Sequence, residues 1–482
     1  MHGSPMLPSM AFVLVASVHL AHSDEPRYVL CSNSAVEPAA AIAGRTLRVF
    51  AASVAGVGGP AEARLGRQYA PLTLRAALLL DDPNHWTARL PGGKVGQHAK
   101  AGHDSQVSYA KCFGARLPNF TMVACRLGAK HGASGTFLPN ASWASGRFFR
   151  FSNQELRHDF ASCALGSHTR RWKGHPGPPD RLHMQLAFAT TGEPVHLPLE
   201  LCRVERPLLR LSFCSQPLYG FGKLRQELPW VMEDWLEYHL DHLGFEHAEI
   251  YDTDGSFAEA VEPWAAGKRG AYGTVTYHKG FPARLSQSMN EISQKKPYCA
   301  ETWAYAHCLT THRALSRWVM LLHAPDEYVV TKSFQPGALI PVLHEITRTL
   351  PEDEPISMLT VPARSMAQGG PGAEQTSLAA PTRGGVLAAS RLHGPIQPLH
   401  TPLVDPANCV CAGAHSCYAE KDMEFGGLTQ QLDPVFMVVN HYVEMLARNR
   451  GRCTSMGDVC EIPEKAGQDS WAEFAVGWLR AR

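Results

Sequence analysis

Charge of either sign is scarce in this 482-residue sequence: Lys and Arg number 45, Asp and Glu 44, and together they make up 18% of the chain. The net charge of +1 argues against a protein built to hold a nucleic-acid backbone, which needs a concentrated basic face. No nucleic-acid partner is expected. Apolar length is lacking at the N-terminus, where the run from Ala11 to Ala21 is about half of what crossing a bilayer requires. No stable membrane span is expected. No internal repeat is evident, and no long helical period appears between residues 26 and 207. The spacing of Cys409, Cys411, His415 and Cys417 fits no common zinc module, so disulfide or free thiol is the expected state. No acid pair stands at defined positions, which leaves a two-carboxylate hydrolase unsupported.

What is present points to a folded, secretory-pathway protein. Hydrophobic residues make up 45% of the sequence, normal for a globular chain, and its length suggests two domains. Small residues Ala21 and Ser23 precede Asp24 as at a signal-peptidase site, so residues 1–23 read as a signal peptide, although residues 1–10 have no Lys or Arg. Asn119-Phe-Thr121 and Asn140-Ala-Ser142 are N-glycosylation acceptors. The 13 cysteines suit an oxidising lumen or secretion, and their odd number leaves at least one thiol unpaired or in an intermolecular bridge.

Residues 24–207 read as short strands between turn-forming clusters, among them Arg45 to Phe50, Phe148 to Phe151 and Leu186 to Ala189. A β-rich, sandwich-like domain is expected there. Near Leu208 the pattern changes. Leu208 to Cys214 is a buried-strand run. Val231, Trp235, Leu236, His239, Leu240 and Leu243 then follow a helical period ended by Gly244, and Ala248 to Tyr251 is a second strand. Strand, helix and strand with short joints make a βαβ unit and start a parallel sheet. A helix over Tyr298 to Leu315 leads into the strand Trp318 to Leu322, which ends in His323-Ala-Pro-Asp-Glu-Tyr328. Acidic residues at a strand's carboxyl end lie where open α/β sheets bind ligands. Residues 368–385 read as a Gly/Pro-rich loop and Phe436 to Asn440 as another strand. The tail, residues 453–482, closes with a short amphipathic stretch around Trp471 to Leu479.

An ordered set of short motifs resembles glycosyltransferase family 92. Cys214 to Tyr219, Trp235-Leu-Glu-Tyr-His239, Gly244 and Ile250-Tyr-Asp252 resemble the opening of its catalytic domain. Ala304 to Leu309, Trp318-Val319 and Asp326-Glu-Tyr328 resemble its centre, and Asn440-His-Tyr442 its late motif. The similarity covers roughly Leu208 to Arg452. It implies a GT-A-like nucleotide-sugar-binding domain with a mixed sheet over residues 208–452. It further implies transfer of galactose from UDP-galactose to a glycan or polysaccharide, and residence in the Golgi lumen.

The departing nucleoside diphosphate needs its charge offset, and hard oxygen ligands suit Mn²⁺ or Mg²⁺ for that task. The family's Asp-x-Asp-Glu pattern lacks its first aspartate here, with Ala324 in its place. Either Asp326 is the principal metal contact, supported by His323 or Glu327, or the chain is a catalytically inactive binder of sugar or nucleotide. His441 is expected as a further metal or phosphate contact, and His415 resembles a histidine on the acceptor side. Pro217, Tyr219, Tyr251, Asp252 and Asp254 are expected on the nucleotide side, with an Asp-rich turn as the alternative for Asp252 and Asp254. An inverting transfer needs a carboxylate base, and Glu301, Asp405 and Glu420 are the candidates. Trp303 and Tyr272 are candidates for stacking on a sugar ring.

Overall fold

The computed structural model describes residues 26–31, 39–42, 44–56, 72–81, 117–118, 120–128, 143–152, 157–165, 180–190, 193–270, 272–282, 285–286, 289–290, 293, 298–350, 356–367, 382–389, 392–413, 415–418, 428–442 and 470–481. The N-terminal apolar run, both glycosylation acceptors, most of the Gly/Pro-rich loop and Glu420 lie outside these residues.

The first half is antiparallel: β1 (Tyr28–Leu30), β2 (Ala39–Ile42), β3 (Arg45–Gly56), β4 (Leu72–Asp81), β5 (Met122–Gly128), β6 (Ala144–Ser152), β7 (Arg157–Ala164), β8 (Arg181–Ala189) and β9 (Val195–Arg203). The order is β1-β9-β8-β5-β6-β7-β4-β3-β2, and β1 also pairs with β3. That last pairing closes the sheet into a barrel and corrects the expected sandwich; closure satisfies edges that two stacked sheets would leave open. Strand β4 shows why it was hard to read. Leu74, Ala76, Leu78 and Leu80 line the barrel interior, while Ala77 and Leu79 face the second half of the chain. A strand buried on both faces loses the apolar–polar alternation. Disulfides Cys31–Cys202 and Cys125–Cys163 cross-link the barrel.

The second half is α/β. Its strands are β10 (Leu209–Ser215), β11 (His247–Asp252), β12 (Thr274–Lys279), β13 (Ser316–Leu322), β14 (Glu327–Thr331), β15 (Ile356–Ala367), β16 (Leu392–Val404), β17 (Cys411–Gly413), β18 (Ser416–Tyr418), β19 (Leu428–Gln431) and β20 (Met437–His441). The mixed sheet runs β12-β11-β10-β13-β16-β15-β20-β14, with β19 beside β15 and β17–β18 a separate hairpin. The first four strands are mutually parallel, so they run 3-2-1-4 in their order along the chain. The expected α/β class and mixed sheet are both present.

Helices α1 (Phe221–Glu227), α2 (Val231–Leu236), α3 (Ala258–Ala265), α4 (Tyr298–His312), α5 (Leu339–Thr349), α6 (Gly385–Ala389) and α7 (Ser470–Arg480) flank this sheet. Helix α2 continues without a break as a π-helical segment, Glu237–Leu243, that ends at Gly244 with φ 91°. A side chain at Gly244 would also meet Gly337 Cα at 3.2 Å, so both conformation and space require glycine there. Helix α7 does not form a detached tail. Trp471, Ala475, Val476 and Leu479 join the same core as Trp235 and Tyr238, and Trp471 Nε1 donates to Tyr238 Oη at 2.8 Å. No helix among the described residues is long and apolar enough to cross a membrane.

Barrel and α/β half share one apolar cluster, in which Phe50, Ala51, Ala77, Leu79 and Phe160 pack with Trp303, Ala304, Cys308, Val404 and Cys409. Arg75 of β4, itself buried, donates to Pro406 O at 3.0 Å, Ala407 O at 3.1 Å and Cys409 O at 3.1 Å. Arg313 returns the contact by donating to Thr73 O at 2.9 Å.

Candidate functional site

Open α/β sheets bind ligands at the carboxyl ends of their parallel strands, where strand order reverses. Here the reversal lies between β10 and β13. Gln216 N–H donates to Leu322 O at 3.2 Å and His323 O at 3.0 Å where those strands end. The loops that follow β10, β11 and β13 therefore emerge on one edge.

The loops after β10 and β11 are zipped together: Leu218 N–H donates to Tyr251 O and Thr253 N–H to Leu218 O, each at 2.8 Å. The acidic residues of Asp252-Thr-Asp254 serve this turn. Asp252 accepts from Gly255 N and Phe257 N at 2.9 Å and from Tyr277 Oη at 2.5 Å, and it has no exposed surface. Burial pushes its pKa up to about 6 against these donors. Asp254 accepts from Gly220 N at 2.8 Å and Ser256 N at 3.0 Å. Although partial burial opposes it, these donors hold its carboxyl below the usual range. Asp252 and Tyr251, both expected on the nucleotide side, are fully buried, and Tyr251 Oη is hydrogen-bonded to His307 Nδ1 at 2.8 Å. Pro217 is buried, whereas Tyr219 is 46% exposed and stands on this edge.

The loop after β13 gathers most of the other expected site residues. Strand β14 starts at Glu327 and pairs with β20 so that Glu327 lies opposite His441 and Tyr328 opposite Asn440. This register carries the late Asn-His-Tyr motif back to the acidic loop, where Tyr442 N–H donates to Asp326 O at 2.7 Å. His441 Nε2 stands 3.5 Å from Asp326 Oδ2. Asp326 Oδ1 is buried and has no hydrogen-bond partner among the described residues. Glu327 is 0% exposed, and both its oxygens are engaged by His323, through the backbone N–H at 2.9 Å and Nδ1 at 2.6 Å. Burial alone would lower the His323 pKa, but Glu327, Glu301 and Asp326 push it up to about 9. His441 is likewise raised, Asp326 outweighing burial. Glu301 is buried on α4, and that burial raises its pKa against the pull of His323. His415 stacks edge-on to His323, ring centroids 5.1 Å apart.

This geometry divides the expected metal set. Asp326, with a buried oxygen that has no partner among the described residues beside an imidazole, offers the kind of hard oxygen ligand a divalent cation takes. Glu327 does not fit, because His323 already satisfies and neutralises it.

Two of the other candidates take structural roles. Asp405, a candidate base, is buried as a turn cap, accepting from Ala407 N at 2.9 Å and Asn408 Nδ2 at 3.2 Å. Trp303 packs against Phe50 at the junction with the barrel, ring centroids 5.4 Å apart. Tyr272, 76% exposed, precedes β12 and so sits at the amino end of the parallel strands, away from this edge. Cys409 and Cys417 form a disulfide while Cys411 is a buried thiol. Arg364 was not anticipated. It lies opposite Asn440 across β15 and β20, and its Nε donates to Asn440 Oδ1 at 2.6 Å. Only the strand pairing reveals that position. No family model matches the sequence, and no curated protein matches it either.

Proposed function

We propose that this chain is an inverting, divalent-metal-dependent glycosyltransferase that moves a hexose from a UDP-sugar onto a glycan. Galactose as the sugar and the Golgi lumen as its place follow from the resemblance to family 92. The observation that carries the proposal is the meeting of Asp326 and His441, brought from distant parts of the sequence to the edge where strand order reverses. Parallel strands running 3-2-1-4 suit a nucleotide-binding half of GT-A type. Four disulfides among the described residues are compatible with a lumenal or secreted protein.

In this reading Asp326 and His441 hold Mn²⁺ or Mg²⁺. When bound, the cation offsets the charge of the departing diphosphate. Glu327 orients His323 through two hydrogen bonds, and His323, charged at neutral pH, adds positive potential beside the diphosphate. Glu301, the one described base candidate in this corner, helps keep His323 protonated. Tyr219 is the exposed aromatic available to the nucleotide.

The test is turnover of UDP-galactose with and without Mn²⁺. Asp326→Ala should abolish metal-dependent turnover while leaving the circular-dichroism spectrum unchanged; an unaltered rate would remove Asp326 from the site. A second reading is favoured by Ala324 and by the engagement of Glu327: a catalytically inactive protein that binds glycan or nucleotide. Saturable glycan binding indifferent to Mn²⁺ and UDP would select it.

A further inference from the structure

Away from the Asp326 corner, four ionisable side chains converge on one buried carboxylate. Glu249 of β11, the strand beside the edge strand β12, is buried. Its Oε2 meets His278 Nε2 at 2.5 Å and Tyr251 Oη at 3.4 Å. Its Oε1 faces two other imidazoles, His312 Nε2 at 3.4 Å and His247 Nε2 at 3.9 Å. His247 and His312 are 2% and 0% exposed, and among the described residues neither Nε2 makes a hydrogen bond of good geometry. The opposite nitrogen of each ring is committed: His247 Nδ1 to Thr274 Oγ1 and His312 Nδ1 to Ser316 Oγ, both at 2.7 Å.

We propose that His247 Nε2, His312 Nε2 and Glu249 Oε1 form a binding site for a transition-metal dication of the Zn²⁺ class.

Three features of the chemistry point that way. Thr274 Oγ1 donates to Glu246 O at 3.4 Å and so accepts from His247 Nδ1–H, which leaves the Nε2 lone pair facing inward. Ser316 Oγ holds the His312 ring so that its Nε2 faces the same carboxylate, the outer-shell arrangement that metal-ligating histidines use. Two imidazoles and one carboxylate favour Zn²⁺ and its neighbours over Mg²⁺ or Ca²⁺, which take oxygen. The three ligand atoms lie within 4.8 Å of one another. Tetrahedral ligands at Zn–N and Zn–O lengths stand about 3.3 Å apart, close to the 3.4 Å between His312 Nε2 and Glu249 Oε1 and below the 3.9 Å between His247 Nε2 and the same oxygen. The bond from His278 to the second Glu249 oxygen completes the outer shell. Arg206 is a further charge that Glu249 acts on.

Such a metal would tie β11 to the end of α4, the helix that Cys214–Cys308 already fastens to β10. Its role would be structural, because the ligands are closed off from solvent. The site is independent of the proposed transferase corner and stands or falls separately.

The full chain, stripped with a chelator and dialysed, would be titrated with Zn²⁺ alone, with bound metal counted by mass spectrometry after gel filtration. One equivalent should be retained in the wild type and in Asp326→Ala, and lost at least tenfold in affinity in His312→Gln and in Glu249→Gln. No retained metal, or equal retention in those two variants, would overturn the site. Should the variants fail to fold, Zn²⁺ X-ray absorption on the wild type decides: two imidazoles plus oxygen supports it, while sulfur ligation or an all-oxygen shell refutes it.

Discussion

At the residue scale, identical carboxylates do opposite work according to what surrounds them. Asp252 is consumed by three donors, two from its own turn and Tyr277 of β12. Asp252→Ala should therefore destabilise the fold by about 3 kcal/mol, the sum typical of several lost bonds to a charged acceptor, with the loss read from urea unfolding. Asp326 keeps one oxygen without a partner. Restoring a neighbouring carboxylate by Ala324→Asp should tighten Mn²⁺ binding in the presence of UDP by about tenfold, about 1.4 kcal/mol, as followed by titration calorimetry. The sequence made both aspartates visible as strand-end acids but could not rank them. The difference lies in which backbone N–H groups face each carboxylate, and turn geometry sets that. Glu327 escaped for the same reason, since its engagement by His323 depends on a loop folding back over Pro325.

At the element scale, the helix from Val231 onward was legible because its apolar period is regular and Gly244 marks its end. Its widening into a π-helical segment was not, since Glu237–Leu243 packs on nearly every side and leaves no polar stripe to betray the change. Within it His239 donates from Nδ1 to Trp235 O at 2.8 Å and accepts at Nε2 from Val329 N. Burial holds its pKa down to about 3 from 6.5, against the Trp235 carbonyl and Glu327. The native state thus refuses a proton that the unfolded chain takes, so its contribution to stability is whole above about pH 6.5 and drains away as pH falls toward 3. His239→Gln keeps a donor and an acceptor but cannot titrate. Its unfolding free energy should depend on pH less steeply by up to about 1.4 kcal/mol per unit between pH 6 and pH 4, measured by urea titration across that range. Gly244→Ala should cost about 1–3 kcal/mol, through positive φ and the contact with Gly337, read from the same unfolding curves.

At the scale of the molecule, the α/β half was the more readable. Its strands and helices alternate with short joints, so local pattern also fixes neighbours. The barrel hides its closure because β1 must find both β9 and β3, pairings that no local stretch encodes. The histidines around Glu249 were equally silent: they come from β11, β12 and α4, and only the His-x-Glu pair at His247 and Glu249 shares an element face. Arg75 offers the plainest test of how the halves are joined. Arg75→Ala leaves three buried carbonyls without their donor and should cost about 2–4 kcal/mol, lowering the melting temperature of the entire chain in one cooperative step.

That junction also governs movement. Where two halves of an enzyme meet across a wet, polar seam, they can swing to enclose a substrate. Here rings and methyl groups from both sides interlock, and the guanidinium of Arg75 is spent on opposing backbone. Jaw-like bending between the halves is opposed by that joinery, so the strand-end loops are the parts left to adjust around a ligand, over a floor that stays still.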